Sequence, residues 1–357
     1  MVTKRGRRSR RFISIKVAWL TIVIVAATGC QFLLSTPYPG YLGELQALSD
    51  VAPVLDDILP RGMRARFEMH AFEFPSLAFA PDRLGVVVLV TPIVPEDYTS
   101  EGPAPVPYLM FFDENLQFLG RVGEPDELRY LGRPIGIAAD GTFFSGSLPI
   151  DTDEFEPQTE VPNLGITGFA VTYAANTYLI ATRPGAATSA HIVYRRFTDA
   201  WVREETPESL AILPPADDEQ PAREFRLLKA VTVGEETEAE FEFMLLEPAE
   251  QAVYFVRRSA ADFAAGLGSS PGDTLTTREQ LGPAIEIGTG VAYHVPDGLA
   301  LRRRDGWFEY LNRDGSRVAR TAVERATGRV FAFSPDGARF FRFDPVTRKL
   351  SAYGTWW

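Results

Sequence analysis

Residues 331–350 read FAFSPDGARFFRFDPVTRKL. Aromatic and apolar residues flank Asp336-Gly337, a pair whose members both tolerate positive φ, and Asp-Gly between such runs is the strongest short-range hairpin signal. The tetrapeptide Phe333-Ser334-Pro335-Asp336 repeats Phe79-Ala80-Pro81-Asp82, which lies 254 residues upstream, and an apolar or aromatic strand follows each copy. Asp-Gly occurs five times, at Asp140, Asp297, Asp305, Asp314 and Asp336. Asp113 in MFFDENLQFLG and Asp140 in IAADGTFFSG stand in similar strand-turn-strand settings between the two copies. A four-stranded blade takes about 40–50 residues, so five or six such units fit between them.

The strand rhythm extends outward from there. RFEMHAFEF places Phe67, Met69 and Ala71 against polar alternates. FAPDRLGVVVLV is a turn followed by a continuous β-branched run, the pattern of a strand buried on both faces. EAEFEF sets Glu238, Glu240 and Glu242 on one side and Ala239, Phe241 and Phe243 on the other. FMLLEPAEQAVYFV is strand, tight turn, strand, and GWFEYLNRDGSRVART is a hairpin around Asp314-Gly315. SAADFAAGLG (259–268) is a short helical insertion between strands. The terminal SAYGTWW is a final strand that pairs near the start of the chain. From Tyr41 to Leu59, Leu42, Leu45, Leu48, Val51, Val54, Leu55 and Ile58 recur at threes and fours, which predicts one amphipathic helix, or two interrupted near Pro53. Many hairpins, no βαβ alternation and a long period predict an all-β fold, a β-propeller of six blades within a range of five to seven, after a short N-terminal helical segment.

Two segments carry a family resemblance. GRPIGIAADGTFF (132–144), preceded by FFDENLQFLGRVG, resembles one unit of the NHL-type propellers through Gly132, Pro134, Gly136, Ile137, Ala138 and Asp140-Gly141. Residues 331–350 resemble the blade of WD40-like and quinoprotein-like families. The resemblance covers about a quarter of the chain and implies a fold. Propellers host enzymes, receptors and scaffolds alike, so it implies no activity.

The N-terminus is of another kind. Residues 1–29 hold seven basic residues and no acidic one, and Val17–Gly29 is an uncharged apolar run of 13 residues. A bilayer core takes about 20 helical residues, so this run is too short to span one. A basic region, a short apolar region and small residues form an export signal. The small residues Ala27, Thr28 and Gly29 precede Cys30, the only cysteine of 357 residues. Ala27-Thr28-Gly29-Cys30 resembles the lipobox of bacterial lipoproteins, with alanine where leucine is commonest. That resemblance implies cleavage after Gly29, acylation of Cys30 and attachment to a membrane. Gln31 is not the aspartate that retains some lipoproteins at the inner membrane, which tilts the expectation toward the outer membrane. The expected organisation is a signal peptide over 1–29, a lipidated tether and short helix over 30–60, and a propeller over 61–357, held in the cell envelope. With no second cysteine, the exported body contains no disulfide.

Removing the leader leaves 29 basic against 47 acidic residues, a formal charge of −18. That balance excludes a nucleic-acid partner, whose phosphates need a basic face. It also argues against electrostatic docking on anionic lipid.

The search for chemistry returns little. His70, His191 and His294 are the only histidines and lie far apart in sequence. They read as strand or loop residues, although a propeller axis can gather side chains from separate blades. Gly268-Ser269-Ser270-Pro271-Gly272 has the letters of Gly-x-Ser-x-Gly, but GLGSSPG (266–272) neither follows a strand nor opens a helix, so it reads as a loop and not as a nucleophile elbow. DTDEFEPQTE (151–160) offers Asp151, Asp153 and Glu156 as hard oxygen ligands, the best cation candidates in the chain, but it lacks the EF-hand glycine and distal glutamate and reads first as a solvated acidic loop. Arg302, Arg303 and Arg304 precede a hairpin turn, where neighbouring side chains point to opposite faces and cannot form one patch. The expectation is therefore a non-catalytic binding or scaffold propeller for a protein or envelope component, with no cofactor. The alternative is a propeller hydrolase or lactonase with an axial carboxylate or metal site.

Overall fold

The computed structural model describes residues 44–60, 62–74, 83–96, 98, 105–123, 134–137, 142–145, 148–157, 168–174, 176–182, 191–197, 200–203, 225–234, 238–266, 284–288, 290–304, 307–322 and 329–355. They form six antiparallel sheets of four strands each.

The first sheet runs β2 (Arg64–Glu73), β3 (Leu84–Ile93), β4 (Tyr108–Asp113), β5 (Phe118–Val122), counting β1 as the strand before it. The second holds β6 (Pro134–Ile137), β7 (Phe143–Ser145), β8 (Leu148–Asp151) and β9 (Glu156–Pro157). The third holds β10 (Gly168–Tyr173), β11 (Asn176–Thr182), β12 (His191–Phe197) and β13 (Ala200–Arg203). The fourth holds β14 (Arg226–Val233), β15 (Glu240–Glu247), β16 (Ala252–Ser259) and β17 (Ile285–Glu286). The fifth holds β18 (Val291–Val295), β19 (Gly298–Arg302), β20 (Trp307–Asn312) and β21 (Arg317–Ala322). The sixth holds β22 (Val330–Phe333), β23 (Arg339–Asp344), β24 (Lys349–Gly354) and, on its outer edge, β1 (Leu45–Asp50).

The first strands of the sheets touch in a closed circuit: β2, β6, β10, β14, β18, β22 and back to β2. The apolar clusters lie between successive sheets rather than inside a barrel. Met69, Val86, Val88 and Phe112 of the first sheet pack on Phe341 and Phe343 of the sixth. Phe72, Val87 and Phe111 pack the other face of the first sheet on Phe143 of the second. Val86, Val88 and Val90 thus face one neighbour while Val87 and Leu89 face the other, which is why β3 reads as an unbroken apolar run. Similar clusters join the third to the fourth, the fourth to the fifth and the fifth to the sixth sheet. This is the arrangement of a β-propeller, and it agrees with the all-β reading.

The two ends of the chain meet. β1 pairs antiparallel with β24 from Leu45↔Tyr353 to Asp50↔Lys349. The amphipathic helix expected over residues 41–59 is corrected at its first half, which is strand. Leu45 and Leu48 are half-exposed there, so their spacing buries no helical stripe; the ladder to β24 and a bulge between Leu45 and Ala47 set their positions. β1, which precedes residue 61, pairs into the sixth sheet. Only the second half is helical, as α1 (Ala52–Ile58), which buries Val51, Leu55 and Ile58 against the first and sixth sheets. Pro53 stands at the start of α1 rather than breaking it, since a first-turn residue needs no amide donor. The expected insertion at 259–268 is α2 (Ala260–Gly266), whose Phe263 packs on Tyr178 and Phe241 between the third and fourth sheets.

The Asp-centred turns use the carboxylate as a cap. Asp336 Oδ1 accepts from the Ala338 amide at 2.9 Å, and Asp314 Oδ1 accepts from the Ser316 amide at 2.8 Å. Gly337 adopts φ +70, which glycine tolerates without strain. Phe79–Asp82 falls between β2 and β3 in sequence, the position Phe333–Asp336 holds between β22 and β23, but it lies outside the described residues, as do Asp140-Gly141.

Phe343 is fully buried with its ring 4.9 Å from that of Phe67 across the junction of the sixth and first sheets. Phe343→Ala is expected to cost about 3–5 kcal/mol, the range for truncating a core phenylalanine. Equilibrium urea denaturation measures it; a loss under 1 kcal/mol would show that this junction does not hold the ring closed.

Candidate functional site: the central channel

The six first strands surround a cavity of about 760 Å³. Phe67, Met69, Phe72, Val231, Ala292 and Phe331 give it apolar walls. Glu68, His70, Glu73, Lys229, Arg257, His294, Asp297 and Arg313 are its ionisable points.

One polar network joins the fourth and fifth sheets beside this channel. Its centre is Glu242, whose side chain has no solvent exposure. The alternation of EAEFEF sends Phe241 and Phe243 into the core between the third and fourth sheets and Glu242 to the opposite face. Arg257, directly across the ladder on β16, donates from Nε to Glu242 Oε2 at 2.7 Å. Arg313 reaches over from the β20–β21 turn and places Nη2 at 2.8 Å from Oε2 and 3.0 Å from Oε1. His294 of β18 sets Nε2 2.9 Å from Oε1. A second row lies outside these: Arg257 Nη1 to Glu240 at 3.2 Å and Arg313 Nη1 to Asp297 at 3.0 Å. Asp297 holds φ +62 at the head of the β18–β19 turn, a conformation that aspartate enters more readily than most residues. A Cβ on the next residue, Gly298, would stand 2.0 Å from the Leu311 carbonyl oxygen, so only glycine fits that position.

Burial by itself would raise the Glu242 carboxyl, but hydrogen bonds from His294, Arg257 and Arg313 outweigh it and hold the group down to about 2. Glu242 is therefore a fixed anion at any neutral pH. It can orient two guanidiniums and an imidazole, and it is not poised to exchange protons with a ligand. The same face of the fifth sheet carries a second example at its periphery. Buried Glu309 receives Arg303 at 2.5 Å, Arg320 at 3.1 Å and Arg317 at 3.4 Å.

The residues singled out from sequence distribute as follows. His70 and His294 both line the channel, which sequence spacing alone did not require. His191 begins β12, and its side chain lies outside the description. Asp151, Asp153 and Glu156 do not assemble around a cation-sized gap. Asp151 Oδ1 instead accepts from the amides of Asp153 at 2.8 Å and Glu154 at 3.2 Å, closing the turn between β8 and β9. Among the described residues no group of three or more His, Cys, Asp or Glu is placed to hold a metal ion. The three consecutive arginines diverge as alternation demands: Arg302 donates to the Arg329 carbonyl at 2.9 Å, Arg303 binds Glu309, and Arg304 is exposed. Gly29 and Cys30 lie outside the described residues. Glu242, Arg257, Arg313, Asp297 and Lys229 were not singled out. Glu242 was visible as one member of an alternating strand, but its burial comes from a sheet about 50 residues further along the chain, and no local pattern reports that.

No protein-family model matches the chain, and no curated protein matches it. Solved structures do. The chain is similar to the β-propeller domain of Cps50 (Swd1) from Myceliophteria thermophila, with TM-score 0.42, 9% identity, and coverage of 80% of this chain and 99% of that one. It is similar to α-L-arabinanase from Penicillium chrysogenum, solved with arabinobiose, with TM-score 0.41, 12% identity, and coverage of 89% and 99%. It is similar to BamB from Moraxella catarrhalis, with TM-score 0.36, 10% identity, and coverage of 75% and 81%. These likenesses lend nothing to the functional reading.

Glu242→Gln leaves two guanidiniums around a neutral amide. We expect a loss of about 3–5 kcal/mol at pH 7, as for breaking a buried ion pair from one side. The parent carboxyl sits near 2 when folded against an ordinary 4.5, so its contribution, about 3 kcal/mol, is complete above pH 4.5 and is lost as pH falls toward 2. The urea midpoints of parent and variant should therefore converge over that window. Midpoints that stay equally separated from pH 7 to pH 2 would show that the carboxylate charge is not what the network stabilises.

Proposed function

We propose that this chain is a lipid-anchored envelope protein whose propeller, with each four-stranded sheet as one blade, binds a protein or envelope component without transforming it. The anchor rests on Ala27-Thr28-Gly29-Cys30 behind a basic and apolar leader, where the sole cysteine stands at the position that is acylated in lipoproteins. Acyl chains contribute about 0.8 kcal/mol for each buried CH₂, so two or more chains tether a soluble body at a membrane.

The observation that carries the binding reading is the state of the buried carboxylate beside the channel, Glu242, together with the make-up of the cavity. A general acid or base must hold its pKa near the working pH. Glu242 is held near 2 by three donors and serves as the brace between two sheets. Around that brace lies a cavity of about 760 Å³ with apolar walls and a few convergent polar groups, the make-up of a recognition site.

Palmitate labelling tests the anchor. The parent should incorporate label and sediment with membranes, and Cys30→Ala should lose the label and shift to the soluble fraction or retain an uncleaved leader. An unlabelled parent, or a Cys30→Ala protein that is still labelled, would overturn it. For the channel, capture of the tethered parent from its own envelope should retain a component that a channel-lining Phe331→Glu variant does not, with near-identical circular dichroism for both. Equal retention by the two would move the binding surface off the axis.

A further inference from the structure

Consecutive arginines on one strand cannot share a patch, yet the fifth sheet builds a cationic patch from three separate elements. Its floor is Glu309 of β20, which is buried. Arg303 reaches Glu309 Oε2 from the β19–β20 turn at 2.5 Å, and the Arg303 amide closes that turn by donating to the Trp307 carbonyl at 2.8 Å. Arg320 stands directly across the ladder from Glu309, 3.1 Å from Oε1, with its guanidinium 3.8 Å from the centre of the Trp307 ring. Arg317 of β21 completes the set at 3.4 Å from Oε1.

A backbone irregularity brings the last arginine round. Tyr310 pairs with Ala319 and Leu311 with Arg317, so Val318 is an extra residue in β21. In a regular strand, residues 317 and 320 would point to opposite faces; with the bulge both reach Glu309. Val318 itself is 48% exposed beside them. None of these residues lines the channel, and β21 is the last strand of its sheet among the described residues, so the patch lies at the outer edge of the ring.

We infer that this patch docks an acidic segment of a partner protein, with a carboxylate of that segment held by Arg317 and Arg303. One cation suffices to balance one buried carboxylate, and here three converge. The third adds little as a brace: the Arg317 contact is the longest and its side chain is 53% exposed, and exposed ion pairs contribute little to stability. A guanidinium offers paired donors that match a carboxylate. Arg317 meets Glu309 through Nη1 and Arg303 through Nε, so each keeps terminal nitrogens for an incoming oxygen. The charge of the body selects the occupant. A formal −18 repels a polyanionic surface as a whole, whereas a short acidic segment meets the patch within one Debye length, about 8 Å at physiological salt. Val318 offers apolar contact to a neighbouring side chain of such a segment, which a bare inorganic anion cannot use. The patch is a second surface, beyond the channel, and stands or falls separately from it.

The probe is a capped, fluorescein-labelled tetraglutamate peptide, with tetraglutamine as its neutral counterpart, read by anisotropy against the full chain in detergent. Tetraglutamate should bind saturably and more weakly as salt rises, and tetraglutamine should not bind. Arg317→Gln should weaken tetraglutamate about ten-fold, corresponding to about 1.4 kcal/mol, and keep the parent's urea midpoint. Arg317→Lys should recover only part of the affinity, because an ammonium lacks the paired donors. Arg121→Gln removes the same charge from the first sheet and should bind like the parent. The absence of saturable tetraglutamate binding up to about 1 mM overturns the inference. Equal weakening by Arg121→Gln does the same, since net charge alone would then explain the effect. An Arg317→Gln protein that loses stability and keeps affinity would make the three arginines a brace only. Displacement of the peptide by inorganic phosphate or by phosphatidylglycerol vesicles at equal or lower concentration would reassign the patch to a free anion or a membrane, against the inference. Phe331→Glu lies in the channel and should bind tetraglutamate like the parent, so failure of this patch and failure of the channel reading are told apart.

Discussion

Among the described residues the first, fourth, fifth and sixth sheets each bury two apolar faces, and a two-faced sheet is stable only when both are covered. A row of such sheets always leaves two faces exposed at its ends. Closing the row into a ring removes the ends, so the structure depends on the contact between its first and last sheets. Two devices make that contact. Phe341, Phe343 and Ala332 bury against Met69, Val86 and Val88, and β1 completes the sixth sheet from the opposite end of the chain. The second device links closure to the covalent chain: the sixth sheet lacks its outer strand until residues 45–50 arrive.

Ring closure also creates the channel. Side chains on the inner strands alternate toward the two flanking cores, so the axis is lined by few side chains and by exposed strand backbone. Polar groups that reach the axis do so by exception. Arg257 comes from the third strand of its sheet, Arg313 from a turn, and Lys229 follows a bulge, while Glu242 lies behind the two arginines. These exceptions are also where charge is buried, and each is stabilised differently. Glu242 has donors on all sides. Lys229 lies over the faces of Phe72 and Phe169.

The legibility of the sequence follows the range of the interactions. The strands of the first and sixth sheets were readable because period-two alternation, continuous β-branched runs and Asp-Gly turns are local signals. GVVVLV reports burial on both faces through composition alone. Leu45 and Leu48 misled because threes and fours also occur by chance in a strand, and the partner that makes them a strand, β24, is about 300 residues away. The candidate site was nearly invisible for the same reason. Glu242, His294 and Arg313 span 71 residues and meet only through the fourth and fifth sheets. The DTDEFEP loop looked like chemistry because acidic residues cluster in sequence, yet Asp151 is occupied in capping its own turn.

The path of the chain relates the channel to the proposed anchor. Gly354 donates to the Glu44 carbonyl at 3.0 Å, and Thr355 donates to the Ala338 carbonyl at 2.9 Å. Ala338 follows Gly337, where an added Cβ would stand 2.9 Å from Cδ of Pro296, the neighbour of Asp297. The point where the tether enters the fold is therefore at the end of the ring that carries Asp297 and Arg313. Fourteen residues separate Cys30 from Glu44, and an extended chain of that length reaches about 45–50 Å. The end nearest the anchor presents Asp297, 84% exposed, and Glu240, 42% exposed, on a body of formal charge −18. Repulsion from anionic headgroups acts over about one Debye length, close to 8 Å at physiological salt. Were the proposed anchor in place, that repulsion would keep the acidic rim off anionic headgroups by about that distance.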